Sequence, residues 1–171
     1  MRAFLAVLIL AATLGAEAAG AEPEPLKTPP PGRSVEFTLT DQHAKERSWK
    51  FPRAKASVLV VADQKGSEQI EPWVAPLYKR FETKIDIAGV AALPGIPSAF
   101  HGLFRREFRK RLMYPVLLDW KGDVSKKFGA KPAIANLYVI SQDGKIVKEK
   151  TGAMTEKDLK EVIAALDQLL Q

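Results

Sequence analysis

The apolar and polar positions of this chain fall into segments of distinct period, and each period predicts an element. Val35, Phe37 and Leu39 alternate with polar neighbours, and SWKF (48–51) follows a polar stretch, so the segment predicts a short β-hairpin with one face packed. SVLVVA (Ser57–Ala62) is a continuous apolar run, the pattern of a central strand covered on both sides. Ile70, Trp73, Val74, Leu77, Tyr78 and Phe81 recur every three or four residues and predict a core-facing helix, with Pro72 in its first turn and a kink at Pro76. IDIAGVAAL (85–93) predicts a second buried strand. PGIP then interrupts the chain before an amphipathic helix over 98–112, whose apolar stripe is Phe100, Phe104, Phe108 and Leu112 with Leu103 beside it. A short strand at PVLLD (115–119) and one helical turn over 124–128, closed by Gly129, come next. Leu137 to Ile140 and Ile146 to Lys148 predict a hairpin turning at Asp143-Gly144. The last element is a helix that starts at Thr155, with Asp158 three residues on and Leu159, Val162, Ile163, Leu166, Leu169 and Leu170 on one face. Strands alternating with helices predict an α/β domain built on one mixed sheet with helices on both faces.

The N-terminus changes the picture of where the protein goes. MRAFLAVLILAATLGAEAAGA carries one Arg, an apolar run from Ala3 to Leu14 and small residues with two A-x-A endings, which predicts a cleavable secretory signal over residues 1–21, cut after Ala18 or Ala21. The run is shorter than the roughly 20 residues a membrane crossing needs, and no second such segment follows, so no transmembrane segment is expected after cleavage. Residues 22–34 form a Pro-rich linker with five prolines, leaving a domain over 35–171. In all, 26 Lys and Arg face 20 Asp and Glu among 171 residues, a net charge of +6. Cysteine is absent. That excludes disulfides, thiolate metal sites, thioether-linked haem, lipid attachment to an N-terminal Cys and every thiol-based reaction.

Several phrases carry a resemblance. FTLTDQ, SVLVVA, YPVLLDWKGDVSKKFGA, LYVISQDGKIV and GAMTEKDLKEVIAAL together resemble the redoxin branch of the thioredoxin superfamily, which holds peroxiredoxins and periplasmic thiol-disulfide oxidoreductases. Within that branch, AALPGIPSAFHGLFRREFRKRLMYP and KEKTGAMTEKDLKEV are similar to the small periplasmic YtfJ-type proteins. The resemblance implies a thioredoxin-like three-layer sandwich with a central mixed sheet, helices on both faces and an N-terminal β-hairpin, in an exported, periplasmic protein. It also implies a redox site where the first long strand feeds a helix. Counted from SVLVVA, the two cysteines of a CxxC fall at Ser67 and Ile70, and the family's cis-proline falls at Ala135, with Pro132 three residues early. Serine has no redox cycle and Ile70 no resolving chemistry, and without a prolyl amide the peptide before Ala135 is expected to be trans. The implied protein is a pseudoenzyme that keeps the scaffold and has lost the catalyst.

Other chemistry has two candidate locations. Asp63, Lys65, Gly66, Ser67 and Glu68 lie between a strand and a helix, where backbone N–H groups favour an anion, or where Ser67 caps the helix and Glu68 complements its dipole. Arg105, Arg106, Arg109, Lys110 and Arg111 form a basic helix face that suits an acidic protein, an anionic lipid surface or a polyanionic glycan, or is simply solvated. His43 and His101 are the two imidazoles and do not suggest a metal centre or a Ser67-His101-Asp triad. Trp73 is expected in the core, and Trp49 and Trp120 near strand ends. The sequence therefore predicts an exported, non-catalytic binding or scaffolding protein of the cell envelope, with no cofactor and a protein or anionic ligand as partner rather than nucleic acid. The alternative is a non-thiol enzyme using Asp63, Lys65 and Glu68 as acid-base groups in the old cleft over 63–69.

Overall fold

A computed structural model describes residues 36–112 and 114–171. The predicted signal and Pro-rich linker lie outside the described residues. The strands are β1 (Phe37–Asp41), β2 (Glu46–Trp49), β3 (Ser57–Ala62), β4 (Asp86–Ala92), β5 (Val116–Asp119), β6 (Asn136–Ile140) and β7 (Ile146–Thr151). The helices are α1 (Gln64–Ser67), α2 (Ile70–Phe81), α3 (His101–Arg111), α4 (Asp123–Lys127) and α5 (Glu156–Leu169). One seven-stranded sheet runs in the order β2-β1-β5-β4-β3-β6-β7. Its β5, β4 and β3 are parallel to one another, while the flanking neighbours pair antiparallel.

Every residue of β3 is buried, as its unbroken apolar sequence requires. Val58 and Val60 face one side, where Trp73, Leu77 and Phe81 of α2 meet Val162 and Leu166 of α5. Leu59 and Val61 face the other, where Phe128 after α4 and Tyr138 of β6 join Trp49 from the hairpin. Ala62 lies opposite Ala91 and Ala91 opposite Leu118, so Leu118 shares the side of Val58 and Val60. Phe108 of α3 packs on Leu118, which places α3 on the same side of the sheet as α2 and α5. On the opposite side α4 packs with Phe37 and Trp49 from the hairpin end of the sheet, completing an α/β thioredoxin-like sandwich. Thr155 caps α5 by accepting a hydrogen bond from the Asp158 N–H at 3.1 Å, as its spacing predicts.

The differences from the sequence pattern are local. DQKGSEQ contains the helical turn α1 rather than only loop, because the Asp63 side chain accepts from the Gly66 N–H and closes that turn. Helix α2 runs on through Pro76. Phe100 does not join the apolar stripe of α3: it ends a 3-10 turn, and both it and Leu103 stand exposed. Trp49 is buried and stacked on Phe37.

The turn between β1 and β2 is organised by a buried carboxylate. Asp41 accepts from the His43 N–H at 2.8 Å, the Lys45 N–H at 3.0 Å and Arg47 Nε at 3.1 Å. Burial alone would raise its pKa, but the donors of Lys45, Arg47 and His43 outweigh burial and hold it below the ordinary carboxylate value. A depressed folded-state pKa contributes stability that is complete above about pH 4, the unfolded value, and is lost as pH falls through the folded value. Asp41→Asn is expected to lower stability by about 2 kcal/mol at pH 7. It should also flatten the loss of stability below about pH 4, read as urea midpoints against pH; an acid limb identical to that of the native chain would contradict this assignment.

Candidate functional site

At the C-terminal end of β3 the chain builds a corner from α1, the start of α2 and the segment leading into β6. Asp63 receives two backbone donors, the Gly66 N–H at 2.9 Å and the Ala133 N–H at 2.7 Å. One carboxylate therefore ties the helical turn to the segment 70 residues away. Gly66 is buried against that segment, and a Cβ built there would lie 2.3 Å from the Ile134 carbonyl oxygen. Only glycine admits this backbone approach. Behind it, buried Asn136 accepts from the Lys131 N–H at 2.8 Å and donates to the carbonyls of Lys131, Ile134 and Val61 at 2.9, 3.0 and 3.2 Å. These bonds hold a segment in which Ala133 has a φ of 63°. Gln69 completes the closure by accepting from the Ala135 N–H at 3.2 Å.

Ser67, Ile70 and Ala135, which the resemblance implies as the redox-motif positions, have structural roles here. Ser67 donates its N–H to the Asp63 carbonyl and its hydroxyl to the Gln64 carbonyl at 2.6 Å, so Asp63 caps the turn and Ser67 does not. Ile70 opens α2 and packs against the α2/α5 core. Ala135 is fully buried, and the Ile134–Ala135 peptide is trans. Lys65 and Glu68 point into solvent on either side of buried Gly66. Asp63, Lys65 and Glu68 therefore do not converge on a shared point, and the Asp63 carboxylate is already engaged by two amides. The N–H groups of Gly66, Ser67, Glu68 and Gln69 are all bonded internally, which leaves them closed to an anion.

The basic helix divides into two sets. Arg105 and Arg109 reach inward to β1 and the turn after it: Arg105 Nη2 donates to Thr40 Oγ1 at 2.8 Å, and Arg109 Nη1 to the Gln42 carbonyl at 2.9 Å. Both tie α3 to β1 and its following turn, and the buried Gln42 side chain ties that turn to the start of β5, donating to the Tyr114 carbonyl and accepting from the Val116 N–H. Arg106, Lys110 and Arg111 remain outside and surround Glu107 at 3.9, 3.3 and 3.8 Å.

Sequence reasoning missed a groove between β1 and the end of β5. The strands pair only at Thr40↔Leu118 and Asp41↔Leu117, and beyond that point they diverge around a space of about 770 Å³. Phe37, Leu39, Ile96, His101, Trp120 and Val124 are among its lining residues. His101, expected on the exposed side of its helix, is stacked on Trp120 with ring centroids 3.7 Å apart and shares a 3.1 Å hydrogen bond with the Ile96 carbonyl. Neither ring carried a periodic signal in the sequence that could have announced the pairing. His43 is exposed, and no cluster of three or more His, Cys, Asp or Glu able to hold a metal occurs among the described residues.

No protein-family model and no curated protein matches the sequence. Solved structures match it in fold. A protein assigned as the thiol:disulfide interchange protein DsbE from Chlorobium tepidum aligns with a TM-score of 0.62 at 15% identity over 82% of this chain and 98% of its own. The exposed lipoprotein thioredoxin Etrx1 from Streptococcus pneumoniae aligns at 0.59 and 20% identity, over 78% and 99%. Peroxidoxin BcpB from Mycobacterium tuberculosis aligns at 0.54 and 20% identity, over 81% and 96%. At such identities the likeness is one of fold, and the fold is thioredoxin-like. The chain carries that scaffold without cysteine, which argues against thiol-based redox or peroxidase catalysis.

The corner makes a paired stability prediction. Gly66→Ala places a methyl against backbone that cannot swing aside and is expected to destabilise by about 3 kcal/mol. Gly102→Ala, in exposed helix with nothing within 4 Å, is expected to be neutral or stabilising by up to about 1 kcal/mol. Equal urea midpoints for the two variants would show that the corner is not closed as described.

Proposed function

We propose that this chain is an exported, non-catalytic binding protein of the cell envelope, located in the periplasm, whose contact surface is the outer side of α3. The observation that carries the reading is the closed corner after β3, which the resemblance makes the seat of the nucleophile: it is filled by a backbone contact at Gly66 and by an Asp63 carboxylate bound to two amides. Such an arrangement stabilises the domain and offers no reactive group. The residues at 1–21 support export. The similarity of the phrases over 91–115 and 148–162 to small periplasmic YtfJ-type proteins supports the periplasm. Among the described residues no helix is long and apolar enough to cross a membrane, so contact with the envelope would be made from its surface. Of the basic face, Arg106, Lys110 and Arg111 are the members free to make that contact, because Arg105 and Arg109 already hold β1 and its following turn.

Fractionation of expressing cells tests this reading without presupposing the partner. The native chain and a Lys65→Ala/Ser67→Ala/Glu68→Ala variant are expected to remain with the envelope at low salt, while Arg106→Glu/Lys110→Glu is expected in the soluble fraction. Unchanged fractionation of the charge-reversed variant would reject the α3 surface. In parallel, the purified chain is expected to leave insulin disulfides and hydrogen peroxide untouched relative to a boiled control. Turnover of either would end the non-catalytic reading.

A further inference from the structure

We propose that the outer ridge of α3 docks on an anionic phospholipid surface; this inference rests on the binding reading above and names its partner. Six large hydrophobic side chains stand exposed among the described residues, and four of them gather at α3: Phe100 (52%), Leu103 (46%), Tyr114 (67%) and Tyr78 (42%). Tyr78 belongs to α2 but is carried to this surface by its ring, which stacks on that of Tyr114 with centroids 6.3 Å apart. At about 100° per residue, Leu103, Arg106 and Lys110 fall within an arc of roughly 60° whose centre lies about 150° from that of Phe104 and Phe108, so they share the outward side of the helix. Phe100 stands exposed in the 3-10 turn just before α3, and Tyr114 stands exposed shortly past its C-terminal end. Arg106 and Lys110 have side chains 60% and 61% exposed, and Glu107 is the single acidic residue of α3 beside three outward cations.

The combination points to lipid rather than to a folded acidic partner. Its cations sit exposed at the ends of long stems, and among the described residues the carboxylate they pair with is that of Glu107. A line of exposed cations on long stems suits a counter-surface that supplies negative charge at many points, which headgroups do. Apolar side chains interspersed with the cations at one end, and two tyrosines at the other, suit the boundary between headgroup and acyl chain, where an apolar body with a polar tip is favoured. The depth involved is shallow, because Phe104 and Phe108 are committed to the sheet.

The probe is a set of vesicles, phosphatidylcholine alone and phosphatidylcholine with phosphatidylglycerol, sedimented with the chain from residue 22 onward, which contains every element described. Binding is expected only to the anionic vesicles and should weaken as salt rises. Each cation near such a surface contributes about fivefold, so Arg106→Gln/Lys110→Gln should lower the partition coefficient about 25-fold. The same loss of two charges at Lys65→Gln/Lys157→Gln, both off the ridge and exposed, should leave binding within about fivefold of native. Phe100→Ser/Leu103→Ser should weaken binding while preserving its salt dependence. Thermal melts confirm that each variant is folded. Absence of binding to anionic vesicles, equal binding to neutral ones, or equal loss in the ridge and off-ridge charge variants would overturn the lipid assignment. If vesicles fail while Arg106→Glu/Lys110→Glu still releases the protein from the envelope in cells, the ridge binds a protein, and the envelope-binding reading survives its lipid form.

Discussion

Two hydrogen bonds to Asp63 join the turn after β3 to a segment 70 residues farther along the chain. The carboxylate stands just past the end of fully buried β3 and receives one amide from the turn after it and one from the segment that leads into β6. Charge-assisted bonds of this kind are short and strong, and here they fix the approach of two backbones that a Cβ at Gly66 would separate. Around them, Asn136 pins the incoming segment and Gln69 pins the Ala135 amide. The sheet could pair without this knot. The direction in which α2 leaves β3, and hence the packing of Trp73, Leu77 and Phe81 on Val58 and Val60, follows from it.

Much of the fold was legible because its elements have strong periods and little ambiguity of partner. SVLVVA can be stable only when covered on both sides, and the α5 heptad of leucines and valines can cover it only from one. The signals that failed were those set by tertiary contact. Phe100 reads as one more member of an apolar stripe, but the 3-10 turn that holds it rotates it away from the sheet. Trp49 ends β2, where its place in the sequence put it, but its burial is set by the Phe37 ring opposite it. The corner was legible as a location and illegible as a device: nothing local in DQKGSEQ reveals that its acceptor for a distant amide is Asp63, or that the buried position is Gly66.

The basic helix shows why charge alone does not define a surface. Five cations lie within seven residues, yet Arg105 and Arg109 lean toward β1 and do work that a neutral donor of the same reach could share. Their guanidinium groups bind the Thr40 hydroxyl and the Gln42 carbonyl, and the groove beside Trp120 lies where the pairing of β1 with β5 stops. The remaining cations keep company with exposed aromatic and aliphatic side chains, so the same eleven-residue helix serves the core with one face and the outside with another.

The contact between Gly66 and Ile134 is made by backbone atoms on the Ile134 side. Such a contact places a demand on one letter of the sequence and on almost none of its neighbours. Lys65 and Glu68 face solvent, and Ser67 bonds only to main-chain atoms within its own turn. The corner can therefore drift freely at 65, 67 and 68 across descendants of this chain while its shape stays fixed. Resemblance in those letters would then say little about shared activity, whereas an aspartate, a glycine and an asparagine at 63, 66 and 136 would mark chains that close the corner in the same way.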